Sequence, residues 1–186
     1  IRGCGTSGLK GIEANNKQLI RPLIECSRKE IEEYCKQNNL NPRIDKTNFE
    51  NDYTRNKIRN MLIPYIQENF NPNIIEGINR LSSLSKQEND YLEKETQKAY
   101  ISIVEEITNT SISLDLKKFN SLEKVIKSRV VLYTINELFK TKNGIEKKHI
   151  EDIIKLCSNN IGNKYLIPNK KMKILVKNKK IFFMAN

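Results

Sequence analysis

Apolar positions recur along nearly the whole chain, and their spacing changes character several times. Leu19, Ile20, Leu23 and Ile24 cluster around Arg21-Pro22 as a short β-prone run over Gln18 to Ile24. A proline cannot donate to a ladder, so this run is expected as an edge or terminal strand. Ser27-Arg28-Lys29-Glu30 fits a capping box, and Ile31, Tyr34 and Cys35 follow at i, i+3, i+4. A helix of about three turns, ending near Asn38-Asn39, is the expectation. Residues 41–52 are turn-rich, and a second helix starts near Tyr53 with Ile58, Met61, Leu62, Tyr65 and Ile66 on one face. Pro64 either kinks or splits it.

From Ile74 to about Glu106 the spacing of Ile74, Ile78, Leu81, Leu84, Tyr91 and Leu92 predicts one long helix, which suits a connector between two bodies. The boundary is placed at 79/80, within that helix. Ile112, Leu114 and Leu116 alternate weakly. Asn120 or Ser121 is expected to cap an apolar helix through Phe139 that Gly144 terminates, and a further helix carries Ile150, Ile153, Ile154 and Cys157. Met172 to Phe183 reads as a lysine-flanked hairpin turning at Asn178-Lys179. The fold class is thus mainly α with minor β.

Composition bounds these elements. The chain has 186 residues, 38% of them hydrophobic, enough for one domain or one and a fraction with a buried core. No run of about 18 apolar residues exists for a membrane span. Ile1-Arg2-Gly3 does not open a signal peptide, and without an initiator Met the chain is expected to begin inside a longer protein. The net charge is +11, and residues 141–186 hold 11 basic against 3 acidic side chains. So concentrated an excess points to a polyanion such as nucleic acid, or else to a lysine-rich solvated surface.

Four of the seven glycines, Gly3, Gly5, Gly8 and Gly11, fall in the opening Arg2–Gly11 segment. Such spacing lets backbone N–H groups approach an anion, and it equally suits a tight turn. It is neither a Walker A loop nor a dinucleotide fingerprint. Arg55-Asn56-Lys57-Ile58-Arg59 is the strongest local feature. On an ideal helix Arg55 and Arg59 flank the apolar stripe, while Lys57 and Asn60 point away. Arginines beside a core face need partners: ion bridges to Asp45 or Asp52, or phosphates held by the guanidinium forks. Cys4, Cys26, Cys35 and Cys157 have no short pairing, and His149 is the single histidine, read as a surface or interface residue. That spacing is poor for zinc and for a His-dependent nucleophile.

The order of motifs carries more than any one of them. Arg2-Gly3-x-Gly5-x-x-Gly8-Leu9-x-Gly11, Ile20-Arg21-Pro22-Leu23, Glu30-Ile31-x-x-Tyr34-Cys35, Asp45-x-x-Asn48, then Tyr53-Thr54-Arg55-Asn56-x-Ile58-Arg59 and Pro64 resemble the tRNA(Ile)-lysidine synthetases, PP-loop ATP pyrophosphatases of bacteria. The resemblance implies the C-terminal portion of a Rossmann-like α/β PP-loop domain over 1–79. A helical tRNA-binding domain with a terminal β-hairpin follows over 80–186. It implies a cytoplasmic ligase that uses ATP, with Mg2+, to adenylate the wobble cytidine of a tRNA(Ile) bearing a CAU anticodon; free lysine then displaces AMP. A homodimer is left open. By carry-over, Arg2, Arg55 and Arg59 are catalytic candidates. Gly3, Gly5, Gly8, Asp45 and Asn56 are substrate-binding candidates, with Asp45 orienting an arginine. Lys170, Lys171, Lys173, Lys177, Lys179 and Lys180 are candidate tRNA contacts. No metal ligand is assigned. The family's Ser-Gly-Gly-x-Asp-Ser loop is absent, and the chain alone is expected not to hydrolyse ATP. The alternatives are a non-catalytic helical nucleic-acid-binding module and a sister enzyme such as a cytidine thiolase, which would call for paired reactive cysteines.

Overall fold

The computed structural model describes residues 6–16, 19–43, 45–141, 143–159, 164–169 and 171–185. Contacts divide the chain into two units, Ile1–Asn89 and Asp90–Asn186.

The first unit begins with a single helical turn, α1 (Thr6–Leu9), followed by α2 (Arg28–Gln37). The capping box of α2 forms as its sequence indicates: the Glu30 N–H donates to Ser27 Oγ at 3.2 Å, and the Ser27 N–H to Glu30 Oε2 at 2.6 Å. Those same contacts hold the Glu30 carboxyl below its ordinary value, the Ser27 N–H being the main cause. The strand expected over Gln18–Ile24 does not form among the described residues. Only an antiparallel bridge, Asn15 to Ile20, is present, and the chain turns from Pro22. Pro22 has no N–H for a ladder, and the Ile24 N–H instead closes a turn on Arg21 O at 3.3 Å.

Past a 3-10 turn (Lys46–Phe49), α3 (Thr54–Lys57), a π turn (Ile58–Leu62) and α4 (Ile63–Asn69) run end to end. The π turn resolves the expected effect of Pro64. The Ile63 N–H bonds Ile58 O, five residues back, and Pro64 falls in the first turn of α4, where a missing N–H is tolerated. Helix α5 (Ile74–Ile103) is 30 residues long and contributes to both units. It stops short of the expected Glu106, because Val104 enters a strand.

The second unit is α+β rather than helical with a lone hairpin. Strands β1 (Val104–Ile107), β2 (Ser111–Asp115), β3 (Lys164–Asn169), β4 (Met172–Lys177) and β5 (Lys180–Ala185) form one antiparallel sheet in the order β1-β2-β5-β4-β3. The hairpin at Asn178-Lys179 is its β4–β5 part. Both turn residues have positive φ, 52° and 60°, as a two-residue turn matched to strand twist requires. Asn120 and Ser121 do not cap the long helix. They belong to α6 (Leu116–Ser121), whose cap is Asp115, and α7 (Lys124–Phe139) starts after Glu123. α7 ends on Lys140 in the left-handed region, and Gly144, also at positive φ, lies in the connection to α8 (Lys147–Ser158).

Helices α6, α7 and α8 bury one face of the sheet. Ile112, Leu114, Phe119, Val130, Val131, Ile135, Ile153, Ile174, Ile181 and Phe183 are inaccessible or nearly so, each contributing roughly 1.5–3 kcal/mol by burial. The first unit contrasts with this. No apolar residue before Tyr100 is buried among the described residues, and Leu23, Phe49, Tyr53, Met61, Tyr65 and Phe70 are all exposed.

Candidate functional site

The Asp45–Asn60 segment is held together by side-chain amides. Asp45 accepts from the Thr47 N–H and the Thr47 hydroxyl, both at 2.9 Å, which caps the 3-10 turn. The Thr47 N–H keeps this carboxyl below its ordinary value. Asn56, buried on α3, donates from Nδ2 to Thr47 O and Glu50 O, each at 2.8 Å. One helical turn on, Asn60 Nδ2 donates to Asn48 O at 3.1 Å and Asn51 Oδ1 at 3.2 Å. The two asparagines thereby fasten the loop to the helix.

Arg55 and Arg59 are exposed, and neither forms an ion pair among the described residues. The bridges expected to Asp45 or Asp52 are therefore absent, and Asp45 orients the loop instead of an arginine. The helical wheel took the stripe beside these groups for a core face, but Met61, Leu62 and Tyr65 on it are themselves exposed. Asn60, expected to point away, faces the loop with Asn56, one ideal helical turn before it. Its identity with Asn56 at i+4 was the signal in the sequence. Arg59 lines a groove with Arg28, Glu32, Asn48, Phe49 and Asn60. Two unpaired guanidiniums on a fastened scaffold are suited to phosphate oxygens.

In the glycine-rich opening, Arg2, Gly3 and Gly5 lie outside the described residues. Gly8 sits in α1, and its carbonyl accepts from the Gly11 N–H at 3.4 Å. Gly11 is at φ +72°, and an added Cβ would come within 3.3 Å of Ser82 Oγ.

The C-terminal lysines do not behave as one set. Lys170 lies outside the described residues. Lys171, Lys177 and Lys179 are exposed. Lys173 Nζ stands 4.7 Å from the centre of the Tyr165 ring. Lys180 pairs with Glu105 at 2.7 Å, and that contact raises its pKa.

Burial pushes the Cys157 thiol up to about 12 and makes it inert, whereas Cys26 is exposed and Cys35 half-buried. His149 Nδ1 accepts from the Glu146 N–H at 3.1 Å and so caps α8. Among the described residues no group of three or more His, Cys, Asp or Glu could hold a metal ion, and no helix is long and apolar enough to cross a membrane.

Residues 1–66 match the PP-loop domain family, a span that includes the arginine-bearing segment. The chain is 42% identical to the tRNA(Ile)-lysidine synthase of Clostridioides difficile across 97% of its own length. It is 44% identical to that of Clostridium acetobutylicum across 91%, and 44% identical to that of Borreliella afzelii across 47%. It covers 41%, 36% and 20% of those proteins respectively. The chain belongs to the tRNA(Ile)-lysidine synthase family, and spans about two-fifths of the length of the first of these relatives.

Proposed function

We propose that the chain works as part of an ATP-dependent tRNA(Ile)-lysidine ligase. In that reaction the C2 oxygen of the wobble cytidine attacks the α-phosphorus of ATP and pyrophosphate leaves. The side-chain amine of free lysine then attacks C2, and AMP departs with the oxygen. Arg55 and Arg59 are this chain's contribution to the reacting end. Their unpaired guanidiniums bind phosphate oxygens of the nucleotide or of the adenylated intermediate, where fixed cations stabilise developing charge. Asn56, Asn60 and Asp45 hold the scaffold beneath them. ATP would bring Mg2+ with it; the described carboxylates of this chain form no cluster for the ion. Residues 80–186 act as the tRNA-binding part, with Lys171, Lys173, Lys177 and Lys179 facing the RNA backbone and the whole enzyme in the cytoplasm.

The observation that carries this reading is the Asn56–Asn60 fastening of the loop beside two unpaired arginines, in a chain of this family. A thiolase is less well supported, since the cysteines at 4, 26, 35 and 157 have no short pairing in the sequence and Cys157 is buried. To test it, residues 1–186 would replace the corresponding span of the Clostridioides difficile relative, with lysine incorporation into tRNA(Ile) as the readout. Activity that survives Arg55→Ala and Arg59→Ala together would overturn the assigned roles.

A further inference from the structure

The sheet of the second unit has two apolar faces, and only one belongs to the core. On the other, cross-strand pairing aligns Tyr165, Leu175, Phe182, Ser113 and Glu106 in a single row. Lys173 and Met184 form the adjacent row, and Lys177 pairs with Lys180 beyond it. Tyr165 is 60% exposed, Leu175, Phe182 and Met184 are half-buried, and Ser113 is buried, so the open part of the row is its β3–β4–β5 end. Charge is graded across this face. The sequence contains no acidic residue after Asp152, so β3, β4 and β5 contribute only lysines, whereas Glu105, Glu106 and Asp115 sit on β1 and β2. Lys180 is engaged by Glu105, and Lys171, Lys173 and Lys177 lie on the β3–β4 side.

Aromatic rings standing on a sheet, bordered by lysines at strand spacing, suit single-stranded RNA better than a duplex or an apolar protein helix. Bases stack on the rings while the phosphates meet the ammonium groups. A duplex hides its base faces, and an apolar helix would have to desolvate Lys173 and Lys177. We propose that this face is a stacking platform for unpaired nucleotides, with Tyr165 and Phe182 as the base-contacting rings, Lys177 on the phosphates, and Lys173, whose Nζ stands 4.7 Å from the Tyr165 ring centre, turning to a phosphate as a base takes its place. The inference rests on the tRNA reading above and specifies which surface takes the RNA and in what form.

The chain contains no tryptophan, so Tyr165→Trp introduces a single fluorophore on the platform. Titrating that 186-residue variant with a short single-stranded RNA should quench the emission saturably. Inorganic polyphosphate, which carries charge without bases, should not. In the unmodified chain, Tyr165→Ala should weaken RNA retention by about tenfold and Tyr165→Phe should restore it, as expected for loss and return of one stacked base. Tyr165 is mostly exposed, so these changes leave the core intact. RNA retention with no quenching, or equal quenching by polyphosphate, overturns the platform while leaving RNA binding in place. No retention of tRNA at all overturns the tRNA reading itself. Quenching that follows protein concentration without RNA identifies the face as a contact between copies of the chain, which also overturns the proposal.

Discussion

The side-chain amide of Asn56 spans nine residues to reach the backbone carbonyl of Thr47 at 2.8 Å, and the same nitrogen donates to Glu50 O. Asn56 is buried while Arg55 beside it is exposed. Burial of the asparagine and presentation of the arginine are thus two sides of one turn of helix.

Asn56→Ala should therefore cost about 1–3 kcal/mol, since it removes two side-chain-to-backbone hydrogen bonds made by a buried amide. Asn56→Asp should cost at least as much, because a carboxylate would face two carbonyl oxygens. Hydrogen exchange of the 45–51 amides reads this out locally. Exchange unchanged from the parent would show that the loop is held by something else.

The lysine assignments make a graded prediction for tRNA binding. Each phosphate neutralised steepens the dependence of log K on log salt by roughly 0.7–0.9. Lys171→Gln, Lys177→Gln and Lys179→Gln should each flatten that slope. Lys180→Gln should leave it nearly unaltered, because Lys180 already has Glu105 at 2.7 Å. An equal loss at all four positions would mean that the Glu105 pair opens on RNA.

Much of this was legible in the sequence wherever one local rule acted alone. The capping box at Ser27 and the Asn178-Lys179 turn are set by neighbours within four residues, and both form. The long helix was legible until Val104, where β pairing with Leu114 overrides helical continuation. What stayed hidden depends on distant partners. β3 has a proline at position 168 and little alternation, and pairing with β4 is what makes it a strand. The arginine environment differs from the wheel's expectation because the apolar stripe beside it, with Met61, Leu62 and Tyr65, is exposed and forms no core for the arginines to border. The apolar residues before Tyr100 look like core in sequence, yet none is buried among the described residues.

That last contrast predicts unequal stability. Limited proteolysis should cut within residues 6–73 well before it cuts the sheet, and the hydrophobic dye ANS should bind the native chain. Phe183→Ala should cost about 3–5 kcal/mol and melt the second unit, since the ring is fully buried against α7 and β2. Cleavage that starts in β4 or β5 would contradict the assignment of the core.

Two buried groups fix a sign for the alkaline limb. Burial raises Cys157 from an ordinary 9.0 to about 12 and Tyr100 from 10.0 to about 12. In the folded state both keep their protons in a range where the unfolded chain has lost them, so the unfolded state binds fewer protons and stability falls as pH rises. The loss begins near pH 9 for Cys157 and near pH 10 for Tyr100, and it ends near pH 12 for both. Each group contributes a slope of at most about 1.4 kcal/mol per pH unit in its window. Urea melts from pH 8 to 11 should show the decline, and Cys157→Ala should remove the part that starts near pH 9. At pH 8 iodoacetamide should modify Cys26 and spare Cys157 in the native chain. Rapid native modification of Cys157 would place the thiol at the surface.

Arg55 and Arg59 separate function from stability most cleanly. Both are exposed and without an ion partner among the described residues, so Arg55→Ala and Arg59→Ala should move the melting temperature little. In the full-length context each should lower lysine incorporation by about 100-fold or more, the scale on which removing a fixed donor from a developing charge is felt. Lysine substitutions should recover only part of this, because an ammonium cannot reproduce the bidentate fork. Full recovery by Arg55→Lys would reduce that side chain to a point charge. A large drop in melting temperature would instead assign the arginine to the scaffold that Asn56 and Asn60 build.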